Sequence, residues 1–443
     1  MSIWKSLGFR ASPYDVSPLK PTAEGAELLV GRSEETIELC TVLEAHSNGV
    51  FIISGQPGVG KTSFFNVTQF SLENSQAHCG PHLMCARTLC PIQPTDEPLD
   101  VAQRALASLV KSVEEYCALS TRPVPPQTRK ISKWINDRGG GSFDLGITIL
   151  SFGVTFGRSI DLPRYSDTSF ERLLDVLTCV ISEIVVGLKF EGAFIVLDNI
   201  ENLDEEKTAN LMMTFRDTLF VTPHLWWIII GQSGLSSLLQ AREPRVFERV
   251  SGVGLELKPI GIKELHEAIE KRVTLFHAAG DGKAPLSEQV HDHLYQASHG
   301  EIRFVFKYGS DICTKVMSGI RIDVMKSGKK IPESTVDEAL GRLLVAHQIP
   351  NAPAERVLKH IVKEELSGLD LKRKDRELLL QIGEKKVARA SMHKEFGLKT
   401  MQELSSTLAR LHRLHLLVRR QEGRSVTYRP PLCVNISETP APL

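Results

Sequence analysis

Three runs of consecutive apolar residues stand out from an otherwise mixed chain: Phe51-Ile52-Ile53-Ser54, Ala193-Phe194-Ile195-Val196-Leu197-Asp198 and Trp226-Trp227-Ile228-Ile229-Ile230. Each is short and unbroken, the pattern of a strand covered on both faces. Residues 82–90 read as a further buried strand. Between 122 and 161 the pattern changes. Pro123-Val124-Pro125-Pro126 is followed by basic Arg129, Lys130 and Lys133 and then by Gly139-Gly140-Gly141. Beyond the glycines, Phe143, Leu145, Ile147 and Ile149 alternate with Asp144, Gly146 and Thr148, and Phe152, Val154 and Phe156 repeat the alternation. Period two with a break near Leu150-Ser151 predicts an inserted β-hairpin.

Towards the C-terminus the period lengthens. Residues 258–346 are amphipathic and mostly helical in pattern, and Ile349-Pro350-Asn351-Ala352-Pro353 marks a boundary. Residues 374–382 carry Leu378, Leu379 and Ile382 on one helical face. A short helix over 390–396 ends at Gly397, and 400–416 places Leu404, Leu408, Leu411 and Leu414 at helical spacing. Two strand-like pieces, 417–420 and 425–428, flank the turn Gln421-Glu422-Gly423-Arg424. Three helices and a basic hairpin predict a winged helix-turn-helix whose third helix would enter a major groove. Basic side chains outnumber acids there, and Arg410, Arg413, Arg419, Arg420 and Arg424 are the candidates for phosphate contact. The alternative is a winged helix used for protein contact, with its charges solvated.

Composition narrows the class. The chain has 443 residues, 42% hydrophobic and 24% charged, with a formal net charge of zero. That is an ordinary globular composition with room for two or three domains. Zero net charge excludes a chain that coats nucleic acid along its whole length, while leaving room for a local basic domain. No apolar run approaches the ~20 residues of a membrane span, so no membrane association and a cytoplasmic location are expected. The eight cysteines are scattered. His78, Cys79, His82, Cys85 and Cys90 lack the paired spacing of a zinc site, and buried thiols are the expectation.

Chemistry enters directly after the first apolar run. Gly55-Gln56-Pro57-Gly58-Val59-Gly60-Lys61-Thr62 precedes a helix start at Ser63-Phe64-Phe65, so strand, glycine loop and helix follow in the order a phosphate-binding loop requires. Glycines let successive N–H groups turn inward at phosphate oxygens, and the helix N-terminus adds partial positive charge. Lys61 would reach the β- and γ-phosphates and the Thr62 hydroxyl would ligate Mg²⁺, which makes ATP and Mg²⁺ the expected cofactors. A second strand must end in an acid to hold the metal from the other side, and Asp198 supplies it.

Further segments follow in a consistent order. Val30-Gly31-Arg32-Ser33-Glu34-Glu35 precedes the loop, Gln232-Ser233 tips the third apolar run, and Pro244-Arg245-Val246-Phe247-Glu248-Arg249 follows. Leu257-Lys258-Pro259-Ile260 and then His299-Gly300-Glu301-Ile302-Arg303 come later. With the phosphate loop, these resemble AAA+ ATPases of the origin-recognition and replication-initiator type over residues of about 24–430. The resemblance implies a P-loop α/β core with a parallel sheet, a helical lid and a C-terminal winged helix. The domains expected are an N-terminal extension (1–23), the core (24–256, with the insert at 122–161), the lid (257–346), a linker (347–370), the winged helix (371–431) and a tail (432–443).

It also implies roles. Val30, Gly31 and Arg32 would meet the adenine end, Gly55 to Ser63 the phosphates, and Ser233 or Gln232 would act as sensor 1. Arg249 would be an arginine finger and Arg303 the sensor 2 residue at the γ-phosphate. The family places Glu directly after the strand-ending Asp to orient the attacking water. Here that residue is Asn199, so either Glu201 takes the role or hydrolysis is slow. The Ser of the finger segment is Glu248 here. DNA and further copies of the chain are the partners expected of an ATP-hydrolysing, DNA-binding protein. The competing expectation is a slow nucleotide switch or scaffold for a protein partner in a phage-defence or mobile-element system. The insert either packs on the core or projects towards DNA or a neighbouring subunit.

Overall fold

The computed structural model describes residues 3–74, 80–137, 170–279, 282–298, 300–326, 348–367, 371, 373–385, 387–413, 416–422 and 425–429. The expected hairpin at 143–156 and the tail at 432–443 lie outside the described residues. The chain divides into two compact units, Pro18–Lys258 and Met1–Ser17 joined with Pro259–Leu443.

In the first unit, β1 (Gly49–Gly55), β2 (Leu83–Met84), β3 (Cys90–Pro91), β4 (Gly192–Asp198), β5 (Leu225–Gly231) and β6 (Leu255–Leu257) form one sheet. Every pairing in it is parallel. The order is β2-β4-β5-β1-β6, with β3 pairing the far end of β4. The helices are α1 (Ala23–Leu28), α2 (Ser33–Ala45), α3 (Lys61–Glu73), α4 (Pro98–Leu119), α5 (Pro126–Asp137), α6 (Phe170–Ser182), α7 (Glu205–Arg216) and α8 (Leu235–Arg242).

The unbroken apolar runs follow from two-sided burial. Ile52, Ile195, Leu197, Trp227 and Ile229 enter a core with Val101 and Leu109 of α4, Leu177 of α6 and Phe215 of α7. Their neighbours Phe51, Ile53, Phe194, Val196, Trp226 and Ile228 enter a second core with Leu39 of α2 and Phe64 and Phe65 of α3. Alternate residues thus serve opposite faces, and each fully buried Ile, Leu or Phe side chain contributes ~1.5–3 kcal/mol.

The stretch 82–90 differs from a continuous strand. It pairs with β4 only at its two ends, because side chains take the backbone donors between them. Cys85 N–H donates to Glu73 Oε2 at 2.8 Å, Ala86 N–H to Gln69 Oε1 at 2.8 Å and Arg87 N–H to Ser112 Oγ at 3.0 Å. Glu73 is also ion-paired with Arg87, both groups being buried. Burial pushes the Cys85 thiol well up, and Cys90 is raised to about 11, chiefly by burial.

The second unit contains α9 (Ile262–Phe276), α10 (Glu288–Ala297), α11 (Ile302–Lys326), α12 (Asn351–Ser367), α13 (Arg373–Lys385), α14 (Met401–Arg413), β7 (Val418–Glu422) and β8 (Ser425–Arg429). Leu265, Ile269, Leu294, Val305 and Ile312 share a core with Ala354, Leu358 and Ile361. The segment 347–370, expected as a linker, is therefore largely the helix α12. Pro353 falls in its first turn, where a missing N–H costs no intrahelical bond.

The N-terminal segment packs there as well. Phe9 and Tyr14 are buried in the same core. Tyr14 Oη accepts from Leu286 N–H at 3.3 Å and is hydrogen-bonded to His291 Nε2 at 2.8 Å. Burial lowers His291 to about 3, which keeps its ring neutral. A separate core gathers Leu378, Leu379, Ile382, Leu404, Leu408, Leu411 and Tyr428.

The ion pair of Glu73 and Arg87 generates a stability test. Glu73→Gln leaves a buried guanidinium uncompensated and is expected to destabilise the first unit by ~3–5 kcal/mol. The double variant Glu73→Gln/Arg87→Met should recover part of that loss. Urea unfolding followed by fluorescence reports it, since Trp226 and Trp227 lie in this sheet.

Candidate nucleotide-binding site

Parallel strands end together, so the sheet delivers three predicted segments to one edge. The loop 55–62 follows β1, Asp198 ends β4, and Gln232-Ser233 follows β5, which lies between the other two. The register aligns Ser54 with Gly231 and Ile229 with Leu197. Gly231 is a close-packing position, where a Cβ would stand 2.6 Å from Leu235 and 2.8 Å from Ile200. Beyond it Gln232 is exposed and Ser233 half-buried.

The loop has the curl that phosphate binding needs. Gly60 caps α3 with φ +96°, and a Cβ there would meet nothing within 4 Å. Glycine is thus required by the backbone angle and not by space. Val59 N–H donates to Gln56 O at 3.3 Å, closing the turn. The first turn of α3 has N–H groups without intrahelical acceptors and the positive end of the helix dipole. Lys61 folds back across the loop, with Nζ 2.9 Å from Gly55 O and 3.2 Å from Gln56 O. Its ammonium therefore sits at the loop mouth, and Thr62 is half-buried beside it in sequence. A glycine cradle, a helix N-terminus, an ammonium and a half-buried carboxylate at Asp198 fit a magnesium–nucleotide in donor type and charge.

The turn after Asp198 explains Asn199. Asn199 has φ +60° and ψ +44°, the left-handed region that asparagine tolerates better than glutamate does. Its N–H donates to Asp198 Oδ1 at 3.0 Å, while its side chain is exposed. The turn is fixed from β3: Ile92 N–H donates to Asp198 O at 2.9 Å and Asn202 Nδ2 to Ile92 O at 2.8 Å. Glu201 is exposed on the short turn Ile200–Asn202.

Arg32 has a role that the sequence pattern did not reveal. It is buried, and its guanidinium donates to Glu35 Oε1 at 2.7 Å, Val59 O at 3.0 Å and Lys258 O at 2.8 Å. Gly31 before it has φ +67°. Val30 is buried as well. Ser63 Oγ accepts from Leu19 N–H at 3.0 Å, and Asn66 Nδ2 donates to Leu19 O at 2.9 Å. Leu19 carries no motif, and only the fold brings it to Ser63 and Asn66 of α3.

The remaining candidates are dispersed. Arg249 is exposed and 3.8 Å from Asp217, whose carboxyl Arg216 and then Arg249 hold below its usual range. Arg303 is exposed near the start of α11, in the second unit. Arg410 pairs with Asp375 Oδ1 at 2.5 Å. Arg413 ends α14, Arg419 and Arg420 stand opposite Tyr428 and Thr427 in the β7–β8 hairpin, and Arg424 lies outside the described residues. Among the described residues no helix is long and apolar enough to cross a membrane.

No family model matches the chain. Among curated proteins it is similar to Elongation factor 4 of Oceanobacillus iheyensis, 27% identical over 185 residues, covering 40% of this chain and 27% of that protein. Elongation factor 4 of Geobacillus thermodenitrificans is 23% identical over 252 residues, covering 54% of this chain and 37% of its own length. The chain thus spans about a quarter to a third of the curated relatives it matches. Among solved structures it is similar to the Aeropyrum pernix ORC2 protein in ADPNP–ADP complexes, with 13% identity, 97% and 96% of the two chains covered and a TM-score of 0.45. The Aeropyrum pernix ORC1 protein in complex with DNA gives 15% identity, 97% coverage of each chain and a TM-score of 0.46.

Proposed function

We propose that the chain is an AAA+ ATPase that binds Mg²⁺–ATP at the edge of its parallel sheet and contacts DNA through residues 371–431. The observation that carries this reading is the loop 55–62 curling between β1 and α3, with Asp198 ending β4 on the far side of β5. In this reading the loop N–H groups and Lys61 hold the phosphates, and Thr62 and Asp198 hold the ion. A magnesium ion held by Thr62 and Asp198 would supply charge neutralisation for phosphoryl transfer. Ser233 would sense that group from the tip of β5, Glu201 would orient water, and Arg303 would approach from residues 257–346 acting as a lid. Arg249, exposed on its own subunit, would complete the site of another copy in an oligomer.

The DNA part is supported by the local architecture of the C-terminal core. Helices α13 and α14, the short turn Ala390–Met392 between them and the antiparallel β7–β8 hairpin share one set of buried leucines. That order is the one expected of a winged helix, whose wing would carry Arg419 and Arg420. A second reading, a slow nucleotide switch that scaffolds a protein partner in a defence or mobile-element system, is favoured by Asn199 and by the commitment of Arg410 to Asp375.

Lys61→Ala is expected to weaken binding of a fluorescent ATP analogue at least about thirtyfold, because a cation buried against phosphate is worth ~2 kcal/mol or more. An unchanged Kd would remove the nucleotide assignment. Phosphate release should fall about a hundredfold or more in Asp198→Asn. It should fall in Glu201→Gln only if that carboxylate orients the water. For DNA, full-length protein is titrated onto duplex at several salt concentrations. Replacing Arg419 and Arg420 by Ala should flatten the salt slope by about one unit per lost phosphate contact. Absence of duplex binding at low salt, with ATP analogue bound, would leave the scaffold reading.

A further inference from the structure

The chain passes between its two units at two places, Ser17 to Pro18 and Lys258 to Pro259. Each passage is held on its nucleotide-unit side by the phosphate loop or by the helix that follows it. At the second, Arg32 donates to Lys258 O and to Val59 O with the same Nη2 atom, so one guanidinium joins the loop to the departing chain. At the first, Leu19 is held on both sides of its backbone by α3: Ser63 Oγ takes its N–H and Asn66 Nδ2 reaches its carbonyl. Ser63 directly follows Lys61-Thr62.

Both passages are held on their other side too. Asp15 O accepts from Arg272 Nη1 at 3.0 Å, and Arg272 is buried with its guanidinium carbon 4.5 Å from the ring centre of Phe306. Ile260 O accepts from the Tyr295 hydroxyl at 2.6 Å. Three residues, Val16 to Pro18, lie between the anchors at Asp15 and Leu19, and only Pro259 lies between those at Lys258 and Ile260. With a reach of at most ~3.3–3.6 Å per residue, so short a stretch has little spare length to take up a shift at one anchor.

We infer that Arg32 and Ser63 are positioning residues that make both connections between the units respond to the state of the phosphate loop. This rests on the nucleotide reading proposed above and assigns two of its expected contact residues a different task. Arginine is needed at position 32 because its fork serves three acceptors at once, which a lysine ammonium on the same backbone cannot reproduce. Ser63 needs only its hydroxyl oxygen.

Hydrogen exchange in the full chain, with and without a saturating non-hydrolysable ATP analogue, tests the assignment in peptides spanning 14–22 and 255–265. In the parent, the analogue should slow exchange in both peptides. Arg32→Lys should lose the slowing in 255–265 and keep it in 14–22, and Ser63→Ala should do the reverse. Each lost protection should be about tenfold, the size expected of one charge-assisted or buried hydrogen bond. Analogue binding is measured directly on the same samples, and a melting curve establishes that each variant is folded. Bound analogue with no slowing in the parent, or slowing that both variants retain or lose in the two peptides together, overturns the inference while the nucleotide reading stands. Failure of the parent to bind analogue at all overturns both.

Discussion

A parallel sheet covered on both faces has no room for polar chemistry except where its strands end. Trp226 and Trp227, adjacent in sequence and fully buried on opposite faces, show how completely the interior is taken. Because all the strands run the same way, one edge receives every loop that follows a strand. The glycine loop, Asp198 and the polar tip of β5 are all delivered to that edge by the strands they follow or end. Their separation is set by the spacing of neighbouring strands, ~4.7–4.9 Å each, with β5 as the spacer.

Some of the polar groups that enter the interior come in hydrogen-bonded sets. Glu73 and Gln69 of α3 take up the donors of residues 85 and 86 that a continuous strand would have given to β4. The strand edge is thereby interrupted between β2 and β3. A buried ion pair of this kind adds little net stability and makes alternative arrangements expensive. The same logic applies to Arg32, where three acceptors surround a single buried guanidinium.

The parts legible in the sequence were those written in local signals. Apolar runs located β1, β4 and β5, glycine spacing located the phosphate loop, and leucines at helical spacing located α14. What escaped depends on contacts distant in sequence. The helix α12 was hidden by Pro350 and Pro353, which look like a boundary until the first turn is seen to accept them. Tyr14 reads as an isolated aromatic residue in a polar segment, and its partners Leu286 and His291 lie more than 270 positions away. Arg32 matched a motif, yet the pattern could not show that its acceptors would be backbone carbonyls of Val59 and Lys258. Asn199 was visible as a departure, but its reason, a left-handed backbone, is conformational.

The discontinuity of the second unit bears on how the chain is made. Phe9 and Tyr14 leave a ribosome ahead of residues 18–258, and Leu265, Leu294 and Val305, with which they share a core, emerge only after that whole unit. At ~5–20 residues per second that interval is about 12–50 s, ample for the intervening sheet to fold first. Until then these two aromatic side chains lack the partners of their core.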